Sequence, residues 1–160
     1  MKRPLAIAGA MLALAGAATA GEATKPGVID FEASLAAMDK ALDSHCETKT
    51  TRETKPFMPI HAVQHQIDCE GFAYFGAERK AEFVFGDDTL IFVWILTDKN
   101  EEADLERAFR NAYGEPTHVS AAFTAFADDH AALRKDIPEA LFYSPAIAEQ
   151  YRAFFDSQTK

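Results

Sequence analysis

The chain has 160 residues, 48% of them hydrophobic and 26% charged, with a formal net charge of -9 at pH 7. That balance fits one ordinary globular domain. The acidic excess argues against nucleic acid or an anionic membrane surface as a partner, because both reward clustered Lys and Arg.

At the N-terminus, Lys2 and Arg3 precede an Ala- and Leu-rich run that closes on Ala18-Thr19-Ala20. These are the three parts of a secretory signal peptide, assigned to residues 1–20. Cleavage near Ala20 leaves 140 of the 160 residues, and the loss of two basic side chains takes the net charge from -9 to -11. The apolar run from Leu5 to Ala20 is shorter than the roughly 20 residues that cross a bilayer, and no second run of that length follows. An alanine-rich leader points to a bacterial periplasm, or to the external medium. Gly21 at the new N-terminus offers no cysteine for lipid attachment.

Residues 21–29, with Pro26, read as a flexible polar leader, and a single domain is expected over 30–160. Phe31, Leu35, Met38 and Leu42 fall at i, i+4, i+7 and i+11, which predicts an amphipathic helix capped by Asp30 and ending near His45. Residues 47–59 have no apolar period and read as an exposed, locally basic loop. From His61 to Cys69 the chain alternates with period two, which predicts a strand. Gly71 and Gly76 bracket a short second strand over 72–75. Lys80–Phe85 and Thr89–Leu96 flank Gly86-Asp87-Asp88 and predict a hairpin. Both parities of Leu90–Leu96 are apolar, so that strand should be central and covered on both faces.

Thr97 or Asp98 can cap a second helix whose buried stripe is Leu105, Ala108, Phe109, Ala112 and Tyr113, stopped by Gly114 and Pro116. His118–Ala127 and Ala131–Lys135 read as a weaker hairpin around Asp128-Asp129-His130, with Leu141–Tyr143 as a short edge strand. Ser144 and Pro145 open a C-terminal helix with Ile147, Tyr151, Phe154 and Phe155 on its apolar face. Strands joined by short turns must pair antiparallel. The expected fold is therefore α+β: a single domain with a curved antiparallel sheet of about five to seven strands, packed by N-terminal, middle and C-terminal helices.

Cys46 and Cys69 are far apart and lack the C-x-x-C spacing of a redox pair, so in an oxidising compartment they predict a structural disulfide tying the first helix to the sheet. His61, His65 and Cys69 carry a four-residue spacing that on a helix could hold zinc. On a strand it corresponds to about 13 Å, too far for one ion to be shared, and an oxidised Cys69 cannot ligate. No metal and no cofactor are therefore expected. Asp87-Asp88 and Asp128-Asp129 are read as turn chemistry. A carboxylate pair drawn from Asp68, Glu70, Glu78 and Glu82 is better explained by the solvent faces of strands. The familiar nucleophile and phosphate-loop signatures are missing.

The remaining candidate surface is the loop around Pro138. Arg134, Lys135, Asp136 and Glu139 sit between apolar segments, and Phe142 and Tyr143 are expected to be exposed beside them. The leading expectation is a small periplasmic, non-catalytic binding or accessory protein that engages a protein or small molecule through a sheet face or this loop. Two alternatives are a small hydrolase using His61 or His65 with Asp68, and an apolar-ligand carrier with a cavity beside Phe83, Phe92 and Trp94.

Overall fold

Thr89–Leu96 carries apolar side chains of both parities, and such a strand is stable only with cover on both faces. The computed structural model, which describes residues 22–56 and 61–159, meets that demand with helices on either side of one sheet. Among the described residues the strands are β1 (Thr48–Thr54), β2 (Gln64–Tyr74), β3 (Ala77–Gly86), β4 (Thr89–Leu96), β5 (His118–Val119), β6 (Phe123–Phe126), β7 (Ala131–Arg134) and β8 (Glu139–Tyr143). They form one eight-stranded sheet in the order β1-β2-β3-β4-β8-β7-β6-β5. Every neighbouring pair is antiparallel. The expected signal peptide lies outside the described residues.

Helix α1 (Leu35–Ala41) and helix α2 (Glu102–Tyr113) cover one face. Met38 of α1 and Leu105 and Phe109 of α2 share a core there with Ile67, Phe83 and Phe142. Phe109 stacks on Phe142 at 6.0 Å between ring centroids and tilts against Phe126 at 5.7 Å. Helix α3 (Ala148–Gln158) covers part of the other face, where Tyr151 and Phe155 pack with Phe92, Leu141 and Tyr143. The termini of these helices follow local chemistry. Asp98 forms a capping box with Glu101 at the turn leading into α2, and Ser144 accepts from the Ala146 amide at the turn leading into α3.

The structure corrects several sequence expectations. The first helix starts later, at Leu35, because Ser34 accepts from the Ala37 amide, while Asp30 is used by a turn, accepting from Glu32. Within the expected loop 47–59, Thr48–Thr54 is an edge strand paired along its length with β2. Its threonines suit a pleated strand even though no apolar face advertises it. The two strands expected on either side of Gly71 are one. Gly71 sits at φ +75° at a register shift between Cys69 and Phe72, so it bulges the strand rather than ending it. Leu141–Tyr143 is no edge: β8 lies between β4 and β7, and all five of its residues are buried. Splitting 118–127 into β5 and β6 completes a sheet of eight strands against the five to seven expected. In the expected leader, Ala23 and Ile29 are buried against the domain, and the Tyr74 hydroxyl donates to the Ala23 carbonyl at 2.9 Å.

Cys46 and Cys69 form the expected disulfide, across a sequence separation of 23. By the loop-entropy relation such a closure stabilises the fold by roughly 3 kcal/mol. The double variant Cys46→Ser/Cys69→Ser should lose about that amount in urea unfolding. A loss well below about 1 kcal/mol would show that β1 and β2 are held together without the covalent link.

Candidate functional site

Side-chain parity divides β2 into two chemically different faces. Ile67 and Cys69 point into the core under α1 and α2. Gln66 and Asp68 point the other way, level with Val84 and Glu82 of β3. Val84 and Glu82 in turn pair with Phe92 and Trp94 of β4. Because α3 covers only part of this face, a groove of about 650 Å³ remains between the sheet and α3. Val84, Phe92, Trp94 and Phe123 give it apolar cover from the sheet side, while Tyr151 and Phe154 close it from α3. Gln64, Gln66 and Glu82 supply a polar wall, and Arg134 and Asp136 form one end. This volume and mixed lining are characteristic of small-molecule sites.

Charged side chains line and border the groove. Arg134 grips Asp136 with two hydrogen bonds of 2.8 and 3.1 Å, reaches Glu139 at 3.3 Å, and lies 5.8 Å from the centroid of the Trp94 ring. That clamp keeps the Asp136 carboxyl down at about 2. Glu139 behaves oppositely: burial pushes its carboxyl up against the pull of Arg134, and the nearby Glu82 charge adds to the rise. Further along, Lys80 pairs with Glu82 at 2.8 Å and with Asp68 at 3.5 Å, and Arg52 reaches Asp68 at 2.9 Å. Burial works against the ionised Asp68, but hydrogen bonds from Arg52 and Gln66 outweigh it and hold the carboxyl below its usual range. The Gln66 amide donates to Asp68 at 2.7 Å. A carboxylate only accepts, so the amide nitrogen of Gln66 is the atom that faces it.

Tyr151 stands apart from these satisfied groups. It is 3% exposed, stacks on Tyr143 at 4.4 Å, and its hydroxyl has no hydrogen-bond partner. Burial raises its pKa, so it is a neutral phenol at pH 7. An unmet buried hydroxyl costs about 1–3 kcal/mol, and His61 Nε2 and Thr124 Oγ1 are in the same position among the described residues.

The residues singled out in the sequence are dispersed. His65 shares the parity of Ile67, whereas Asp68 faces the groove side, so the two lie on opposite faces of β2. His61 leans on Gly86 and approaches Asp87 at 3.4 Å, away from Asp68. Asp87 mainly caps the strand entry, accepting from the amides of Ala62 and Val63 at 3.0 Å. Among the described residues, no three His, Cys, Asp or Glu side chains gather where a metal could sit, and no helix is long and apolar enough to cross a membrane.

The loop around Pro138 is the β7–β8 turn. Its charges pair with one another, Lys135 reaches the Ser120 carbonyl, and Ile137 is exposed. Phe142 and Tyr143, expected to be exposed beside it, are 1% and 0% exposed because β8 is central. Phe83 lines no cavity with Trp94, since it points into the opposite core. Gln66, Glu82, Tyr151 and Phe154 went unrecognised as a group. The one signal in sequence was the polar parity of β2 beside the doubly apolar β4.

A second hollow of about 720 Å³ lies between residues 22–27 and the β2–β3 turn. Glu22, Lys25, Glu78 and Phe75 line it beside small residues, and the hydroxyl of its Tyr74 is already bonded to Ala23. No protein-family model, curated protein or solved structure matches the chain.

Two measurements probe this geometry. Tyr151→Phe should leave stability unchanged or raise it by about 1 kcal/mol in urea unfolding; a clear loss would mean that the hydroxyl has a partner in solution. In a pH series, the Asp136 contribution is in place above the ordinary value of 3.8 and is lost as pH falls towards about 2. Asp136→Asn should therefore flatten the acid limb in that window. Glu139 carries the opposite sign: the fold loses stability as pH rises past the ordinary glutamate value of 4.5. Glu139→Gln should remove that decline.

Proposed function

We propose that this chain is a non-catalytic binding protein that takes a small, largely apolar molecule in the groove between the sheet and α3. The observation that carries the reading is a groove of about 650 Å³ walled by Val84, Phe92, Trp94, Phe123, Tyr151 and Phe154. Aromatic walls supply affinity through area removed from water, and a few fixed polar groups set orientation. The sheet face and the loop before Pro138 act together here, because Arg134 and Asp136 of that loop form one end of the groove. The separation of His65 from Asp68 weighs against the hydrolase reading. The basic leader and the Cys46–Cys69 bridge support a periplasmic or external location, where a disulfide persists.

Trp94 is the one tryptophan of the chain and lines the groove, so its emission reports occupancy directly. Titration with the neutral dye Nile red should shift Trp94 emission and enhance that of the dye. Phe154 is 37% exposed but its ring packs on Phe123 at 5.3 Å and on Phe155 at 5.6 Å, so Phe154→Asp should lower the melting temperature while leaving the chain folded, which far-UV circular dichroism checks. It should weaken dye binding roughly tenfold or more, from the lost aromatic contact. Undiminished binding by this variant would place the dye elsewhere, and no binding by the intact protein would count against the reading itself.

A further inference from the structure

Charge along the groove side of the sheet does not balance. Asp68, Glu82, Asp136 and Glu139 face Arg52, Lys80 and Arg134, four carboxylates against three cations. Each cation is already committed. Arg52 is spent on Asp68, Lys80 is shared between Asp68 and Glu82, and Arg134 is shared between Asp136 and Glu139. An anionic ligand head would have to pull one of these away from its carboxylate.

A cationic head also breaks a pair, Lys80–Glu82 at 2.8 Å, but the displaced Lys80 keeps a carboxylate beside it, Asp68 at 3.5 Å. Glu82 lies directly across from Trp94 in the β3–β4 register, so a carboxylate and an indole stand side by side on the groove wall. That pair suits an organic cation, which the carboxylate attracts by charge and the indole by its π-face. The guanidinium of Arg134, 5.8 Å from the same ring, already uses the attraction.

Resting on the groove reading above, we infer that the natural ligand is an organic cation: an apolar or aromatic body lying along Phe92, Phe123 and Phe154, with an ammonium head at Glu82 and Trp94. Lys80 is the intramolecular competitor for Glu82, and the ligand ammonium displaces it. Fatty acids and other anionic amphiphiles are disfavoured by the same arrangement.

The test compares octylammonium, octanol and octanoate at equal ionic strength, read by Trp94 emission and by calorimetry. The ammonium should bind roughly tenfold or more tightly than the carboxylate, with the alcohol between, as expected for one charge contact at partly screened range. Added salt should narrow the gap. Glu82→Gln, near-isosteric, should collapse the ammonium preference while leaving octanol affinity within about twofold. Lys80→Met should widen it. Octanoate binding as tightly as octylammonium, or an unchanged preference in Glu82→Gln and Lys80→Met, overturns the assignment. So does failure of all three to bind while Nile red still binds. If Nile red fails as well, the groove reading falls with it.

Discussion

The structure depends on the two-sided apolar pair formed by β4 and β8. Phe92 pairs with Tyr143 and Val93 with Phe142, so adjacent positions send large aromatic groups to opposite faces. Neither strand could lie at a surface. Each face needs its own cover, and the chain supplies α1, α2 and the segment before them on one side but only α3 on the other. The groove is a geometric result of that inequality. One helix is too narrow to roof the whole face, and the strands beyond its reach carry Gln, Asp and Glu where the covered strands carry Phe and Leu.

Much of this architecture was legible in the sequence. The hairpin turn at Asp87-Asp88, the capping residues Asp98 and Ser144, and the double apolar parity of β4 all rest on local chemistry that neighbouring packing reinforces. The failures come from longer-range determinants. Thr48–Thr54 has no buried face, so no periodicity could announce it, and it is a strand because β2 presents an open edge to pair with. Gly71 can end a strand or bulge it, and the choice is made by whether partner strands continue past it, as β3 does here. The four apolar residues from Ala140 to Tyr143 were too few to distinguish an edge from a centre without knowing that β4 needed a second neighbour.

The candidate site was less legible for the same reason. Its lining comes from β2, β3, β4, β6, β7 and α3, and its polar members fall into separate stretches, Gln64 with Gln66, Glu82, and Arg134 with Asp136, that no single motif spans. Gln66 and Glu82 look like ordinary solvent-facing alternation until α3 is placed. Tyr151 reads simply as one member of a helix stripe, since the sequence cannot say that its ring would be buried while its hydroxyl would find nothing to bond. The histidines attracted attention through spacing alone, and strand geometry separates what helical geometry would have gathered.

The bridge between Cys46 and Cys69 has a further consequence, for alignment. Strand β1 exposes both of its faces almost throughout, so sliding it along β2 would bury or expose little, and packing alone specifies its register weakly. The covalent link stands immediately before the pairing that runs from Thr48 opposite Glu70 to Thr54 opposite Gln64. A slip by two residues would restore every face and nearly every ladder hydrogen bond, yet it would carry Cys46 out of reach of Cys69. The disulfide thus works as an index mark, selecting one alignment among several nearly equivalent ones. Through the contact between Thr54 and Gln64 at 2.8 Å, it also determines which side chains of β1 stand beside the groove.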